Sequence, residues 1–184
     1  MKKLSVIFLI TFFFMACTSS SSTDTTAAAS KDSVTAAPAI ALPYTAVYSS
    51  SFVPGKPADV LTVLNSYKAW QDNDMAALRA TFGDAADTLI FANGMAIMTT
   101  GDSLVSGAKK YRDSLSKVEL TFYAWTSNHS VDRNDEWVNV WYKEVDTHKT
   151  GKVDSTFYED DNRLKDGKIV WASSHEQKYL KKKK

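Results

Sequence analysis

Few side chains in this sequence are equipped for chemistry, and their spacing narrows the options further. There are three histidines, His129, His148 and His175, and one cysteine, Cys17. No two histidines stand at a metal-ligand spacing and a single cysteine completes no thiolate site, so no metal centre is expected. His129 and His148 fall in or beside polar hairpin turns and read as solvated surface residues. His175 sits in an alternating stretch with Ile169, Trp171 and Ser173; if those face inward, so does His175. There it is either a buried, hydrogen-bonded imidazole or a general base, since imidazole titrates near neutrality. The run Glu159-Asp160-Asp161 lacks the spaced oxygen ligands and glycine of a calcium loop and reads as solvated. Gly94, Gly101 and Gly107 make no phosphate cradle, no serine sits in a nucleophile elbow, and no cofactor is implied.

Aromatic residues are the richer clue. Trp125, Trp137, Trp141 and Trp171 come from three expected strands and are joined by Tyr67, Trp70, Phe91, Phe122 and Phe157. One reading is core packing, which aromatics dominate in ordinary proteins. The other is an apolar cavity with a few polar groups, the usual form of a small-molecule site. Its candidate walls are Tyr67, Trp70, Phe91, Trp141, Phe157 and Trp171. Trp125, Tyr123 and Tyr142 are candidates instead for the outer sheet face, where an aromatic patch would serve as a homodimer interface.

The elements that must position these residues follow from periodicity. Val60, Leu61, Val63, Leu64, Tyr67 and Trp70 recur at helical spacing, with Pro57 and Asp59 suited to a first turn and an end near Asp72-Asn73. Asp74 caps a second short helix carrying Met75, Leu78 and Phe82. Thr88 to Phe91 reads as a buried strand ending at the Asn93-Gly94 turn, with Ala96 to Met98 pairing back. A third helix starts at Gly101-Asp102, capped by Asp102, with Leu104, Val105, Ala108, Tyr111 and Leu115 apolar. The period then changes to two. Val118, Leu120, Phe122 and Ala124 alternate with polar and aromatic neighbours, and strands follow over 136–146, 153–164 and 168–179. On the first of these, Trp137 and Trp141 take one face and Val138, Val140 and Tyr142 the other. Asp166-Gly167 is a strong hairpin signal. Helices followed by long antiparallel strands give an α+β fold, with one sheet curled over the helices.

The ends of the chain carry a different message. Lys2 and Lys3 precede an apolar run from Leu4 to Phe14, and Met15-Ala16 leads directly to Cys17. That run is shorter than the roughly 20 residues a membrane-spanning helix needs. The pattern resembles a bacterial lipoprotein signal, which implies cleavage after residue 16, lipidation (palmitate included) of Cys17 and membrane attachment through it. Thr18-Ser19 after the cysteine implies, by the same resemblance, the outer membrane, with the domain facing the periplasm. Residues 17–43 are Ser-, Thr- and Ala-rich and read as a disordered tether. Residues 44–57 are a linker or a docking segment, 58–180 the globular domain, and 181–184 a basic tail. Loss of Lys2 and Lys3 from 22 basic side chains leaves 20, against 21 acidic ones. No global field favours nucleic acid.

Three features together resemble the ketosteroid-isomerase and nuclear-transport-factor superfamily, most of all its SnoaL-like branch. They are the helix-one pattern Tyr67-Lys68-Ala69-Trp70 running into Asp74 and Met75 to Phe82, the order of three helices and a meander, and the ending Asp166-Gly167-Lys168-Ile169. The resemblance covers residues 58–179 and implies a cone in which a curved antiparallel sheet wraps the long first helix. It implies an oxyanion-donating tyrosine at Tyr67 and a second oxyanion acid at Asp160. The isomerase base falls at Ile90 or Phe91, and neither side chain can take a proton, so steroid isomerisation is not expected. Where SnoaL-like cyclases carry a late-strand aspartate, this chain offers His175 and Glu176. Two readings stay open, with enzyme status leaning to no. One is a lipid-anchored, non-catalytic domain that binds a small apolar ligand or a protein partner. The other is an isomerase-, cyclase- or hydrolase-type enzyme using His175 with Tyr67 and Asp160. A structural dimerisation module is the third.

Overall fold

The computed structural model describes residues 41–84 and 86–177. Cys17, the signal and most of the tether, Tyr179 and the basic tail 181–184 lie outside them. The order is β1 (Phe52–Pro54), α1 (Pro57–Asp72), α2 (Met75–Thr81), β2 (Ala86–Ile90), β3 (Ala96–Thr100), α3 (Gly101–Arg112), β4 (Leu115–Ser130), β5 (Asp135–His148), β6 (Val153–Lys165) and β7 (Lys168–Gln177). Seven strands form one sheet in the order β1-β4-β5-β6-β7-β2-β3. Every neighbouring pair is antiparallel except β2 and β7, which run parallel, so the sheet is mixed. No described helix is long and apolar enough to cross a membrane.

α1 begins at Pro57, where a missing N–H and a fixed φ suit the first turn, and Asp59 faces the positive end of the helix. It stops at Asn73, whose φ of 61° is left-handed. The Asp74 N–H then reaches back to the Ala69 carbonyl at 2.9 Å, closing the end. Arg112, on α3, is buried and donates to the Trp70 and Gln71 carbonyls at 3.0 Å each. A cation thus meets the negative end of α1 and ties the two helices together. Val63 on α1 packs with Val138, Val140, Tyr142, Leu164 and Ile169 on the inner sheet face.

α3 departs from the expected local reading in two ways. Its cap is Thr100, whose hydroxyl accepts from the Ser103 N–H, rather than Asp102. Asp102 sits in the first turn and pairs with Arg79 at 2.6 Å. The helix ends at Arg112, so Leu115 opens β4 and is buried there instead of lying on a helix face. Gly101 allows the close approach: a Cβ there would lie 2.8 Å from the Gly83 carbonyl oxygen.

Beyond a first register shift at Ser116, near the start of β4, two single-residue bulges decide which side chains face α1. In β4, Phe122 opposes Tyr142 while Ala124 opposes Trp141, which leaves Tyr123 unpaired. In β7, Ile169 opposes Leu164 while Trp171 opposes Arg163, which leaves Val170 unpaired. Each extra residue moves everything after it to the other face. Trp125 therefore shares the inner face with Val140, half exposed at 51%, and Tyr123 stands outward against Phe157. Tyr142, expected on the outer face, is buried on the inner one. Of the three residues suggested for an outer-face interface, only Tyr123 lies there.

The segment before α1 is docked. β1 adds an edge strand beside the end of β4, and the Arg133 guanidinium donates to the Val47 and Tyr48 carbonyls. The Tyr48 ring meets Trp137 edge-on at 5.6 Å.

Candidate functional site

A cavity of about 860 Å³ opens between the inner sheet face, the later half of α1, the face of α3 that carries Leu104, Ala108 and Tyr111, and the β2–β3 hairpin. Helical spacing brings Tyr67 and Trp70 to it from α1. Strand alternation brings Tyr142, Glu144 and Asp146 from β5 and Tyr158 and Asp160 from β6. Phe82, Phe91 and Met95 add apolar wall.

The sequence-predicted residues separate into two groups. Tyr67, Trp70, Phe91 and Asp160 line this cavity. Trp141, Phe157 and Trp171 do not. Trp141 and Phe157 hold odd positions on β5 and β6, which face away from α1, and the Val170 bulge sends Trp171 after them. Trp171 packs edge-on against Trp137 at 5.5 Å, and Phe157 stacks on Tyr123 at 5.8 Å. His175 is also on the outer face, beyond the same bulge. Its side chain is 60% exposed and its Nε2 lies 3.4 Å from Asp161. The premise that Ile169, Trp171 and Ser173 share a face fails at Val170, and with it the route of His175 into the cavity. His129 and His148 are half-buried rather than solvated. His129 Nδ1 lies 3.2 Å from Glu136, and His148 Nε2 lies 2.8 Å from Asp154. The run Glu159-Asp160-Asp161 is split by alternation: Asp160 points inward while Asp161 takes an amide hydrogen bond from Asn139 on the outer face.

Tyr67 and Tyr142 both donate to the same oxygen, Asp160 Oδ2, at 2.6 and 3.0 Å. Their rings lie 4.9 Å apart, and Tyr158 stacks on Tyr142 at 5.4 Å. Burial pushes the Asp160 carboxyl up, opposed by the hydroxyls of Tyr67, Ser174 and Tyr142. Burial pushes both tyrosines well up, followed by the Asp160 charge at Tyr67 and by Tyr67 and then Asp160 at Tyr142. A short step along β5, Trp70 Nε1 donates to Glu144 Oε1 at 2.9 Å and Tyr111 donates to Asp146 Oδ2 at 3.0 Å. Burial drives Glu144 up to about 8; the Trp70 hydrogen bond opposes this, and the charge of Asp146, a hydrogen bond to Asp146 and then the charge of Asp160 add to it. Glu144, Asp146, Tyr111 and Tyr158 went unread in the sequence. For the two acids the signal was the parity of β5: Val138, Val140 and Tyr142 face inward, so Glu144 and Asp146 must as well.

No protein-family model matches the chain, and no curated protein matches it in sequence. Solved structures do resemble it. An NTF2-like protein of unknown function from Exiguobacterium sp. 255-15 is 18% identical at TM-score 0.52, over 64% of this chain and 99% of that one. An LEH-like epoxide hydrolase from M. tuberculosis is 12% identical at TM-score 0.55, over 65% and 83%. A protein with a ketosteroid-isomerase-like fold from Catenulispora acidiphila, solved with trimethylamine, is 16% identical at TM-score 0.51, over 62% and 83%. The described domain therefore has the NTF2-like, ketosteroid-isomerase-like α+β fold. Proteins with this fold include enzymes and ligand-bound members, so the site rather than the fold must carry function.

Proposed function

We propose that this domain binds a small, largely apolar molecule between α1, α3 and the inner sheet face, and that it does so without catalysis. The observation that carries this reading is the cavity of about 860 Å³, walled by Tyr67, Trp70, Phe91 and Tyr158. Two features favour binding over isomerase chemistry. The isomerase base position holds Ile90 or Phe91, and the hydroxyls of Tyr67 and Tyr142 are committed to Asp160 rather than offered to a substrate oxygen. Native mass spectrometry on the full chain, released from detergent micelles, tests it. A retained non-protein mass that is recovered chemically unchanged supports binding, and a chain with no affinity for any apolar probe ends the proposal.

One observation favours an acid–base enzyme instead. Glu144, held near 8, lines the cavity as a titrating carboxyl and takes over the role first expected of His175. On that reading the retained molecule is turned over, and Glu144→Gln abolishes the turnover.

We further propose that the domain is held at the outer membrane, facing the periplasm, through lipid on Cys17. The stretch from Lys2 to Cys17 supports this. Radiolabelled palmitate should enter the wild-type chain and be absent from Cys17→Ser; equal labelling of both would reject lipidation at this residue.

A further inference from the structure

We infer that the ligand of this cavity is an organic cation: a protonated primary or secondary amine on an aromatic or aliphatic body, its ammonium seated among Glu144, Asp146 and Asp160. The inference rests on the ligand-binding reading above and specifies the ligand's charge.

Four acidic side chains, Glu144, Asp146, Asp160 and Glu176, line the cavity, and among the described residues no Lys, Arg or His does. The chain as a whole has a net charge of +1, so this negative density is local rather than a property of an acidic protein. Two of these acids are also incompletely paired. Asp146 is 8% exposed and Asp160 is 6% exposed, and the Oδ1 atom of each has no hydrogen-bond partner. Ser174, across the β6–β7 ladder, lowers Asp160 as a hydrogen-bonding hydroxyl does, but no donor meets hydrogen-bond geometry at Oδ1. Buried acceptors without donors are costly, and a ligand that brings N–H groups satisfies them. Neutral hydroxyls would supply donors without offsetting the charge.

The surroundings select an organic cation over a metal ion. The rings of Trp70, Tyr111, Tyr142 and Tyr158 flank the acids, the environment in which an alkylammonium gains cation–π attraction and its carbon body gains apolar contact. Among the described residues no three His, Cys, Asp or Glu side chains converge as metal ligands would. At neutral pH Glu144 holds its proton. A cation beside it lowers its affinity for that proton, which then passes to the buffer.

Calorimetric titration of the full chain in detergent, with 2-phenylethylamine (protonated at neutral pH) and its neutral isostere 2-phenylethanol, tests the inference. At pH 7 the amine should bind at least about tenfold more tightly than the alcohol, the size of one charge-assisted hydrogen bond. Repeating the titration in buffers of different ionisation enthalpy should show proton release for the amine alone. Asp146→Asn should cut amine affinity about tenfold and leave the alcohol within twofold. The isostere comparison on the unaltered chain needs no variant, so a poorly folding variant leaves the test intact. Equal or tighter binding of the alcohol overturns the cation inference and leaves a ligand-binding cavity standing. Binding of neither probe at millimolar concentration overturns both.

Discussion

Two sets of acids are buried against α1, one near each end of the helix, and they are treated differently. At the first turn, Asp59 is 4% exposed beside Glu136. Lys56 Nζ lies 2.7 Å from Glu136 Oε1, His129 Nδ1 lies 3.2 Å from the same oxygen, and the positive end of α1 faces Asp59. Near the last turn, the donors to Glu144, Asp146 and Asp160 among the described residues are neutral: Trp70, Tyr111, Tyr67, Tyr142 and Ser174. The first set meets a cation of its own chain, Lys56, at Glu136, although Asp59 Oδ2 and Glu136 Oε2 keep no hydrogen-bond partner. The second is hydrogen-bonded but not neutralised, and it is the set that lines a cavity. Buried charge without an internal counter-charge is destabilising on its own and persists where something else answers it. The contrast therefore lies in the counter-charge: the first cluster meets a cation of its own chain, and the second, which lines the cavity, meets none among the described residues.

The largest effect should come from cutting the support of the cavity acids. Tyr67→Phe removes the shorter of the two hydrogen bonds to Asp160 Oδ2 and leaves that oxygen of a buried carboxylate with Tyr142 alone. A loss on the order of 2–3 kcal/mol in urea unfolding at pH 7 is expected, the range for hydrogen bonds to buried charged groups. Asp160→Asn in the same background should recover part of it. A loss below about 0.5 kcal/mol would mean that Asp160 does not depend on its tyrosines, and the contrast with the first-turn cluster would weaken.

Next in size is the pH response of Glu144. Its ordinary value is 4.5 and burial raises it to about 8 in the folded chain. Between those values the folded state binds more protons than the unfolded one, so this residue's contribution to stability falls as pH rises through that window. The groups facing it are Trp70 and Tyr67 on α1, Tyr111 on α3, Tyr142 and Asp146 on β5, Tyr158 and Asp160 on β6, and Glu176 on β7. None is a cation that would hold the value down. Glu144→Gln should be close to neutral at pH 5 and stabilising by about 1–2 kcal/mol at pH 8.5. Equal effects at both pH values would show that Glu144 titrates like an exposed acid. Asp59→Asn is the matched control. Burial and Glu136 raise Asp59 while Lys56 lowers it, so its change should stay within about 1 kcal/mol at either pH.

Much of this was legible in the sequence, and the misplaced residues of β4 and β7 share one physical cause. The bounds of α1 followed from Pro57, the 3.6-residue period and Asn73, and the last hairpin from Asp166-Gly167, which take the φ values of 51° and 70° that such a turn demands. Long periodic elements declare themselves because every residue repeats the signal. A bulge is a single residue with no signature of its own, and it inverts every assignment beyond it. Tyr123 and Val170 misplaced Trp125, Trp171 and His175 in this way. β5 has no bulge beside either neighbour's unpaired residue, and its inward parity held from Val138 to Asp146. The cavity acids were thus readable from β5 alone, had the parity been extended past Tyr142 into its polar end.

The smallest effect in free energy is the sharpest in location. Of the five tryptophans in the sequence, Trp70 alone lines the cavity. Trp137, Trp141 and Trp171 are on the outer face, and Trp125 stands half exposed at the sheet's inner edge. Binding of 2-phenylethylamine should therefore perturb the emission of one indole out of five, through its ring and through the Nε1 hydrogen bond to Glu144. Trp70→Phe keeps an aromatic wall and drops that hydrogen bond, so it should abolish most of the binding-induced change while leaving most of the total emission. Persistence of the change in Trp70→Phe would place the ligand elsewhere, with the outer-face pair Trp137 and Trp171 the next site to examine. In that case the unneutralised acids near the end of α1 would lose their assigned partner, and the distinction between the two clusters would reduce to one of solvent access.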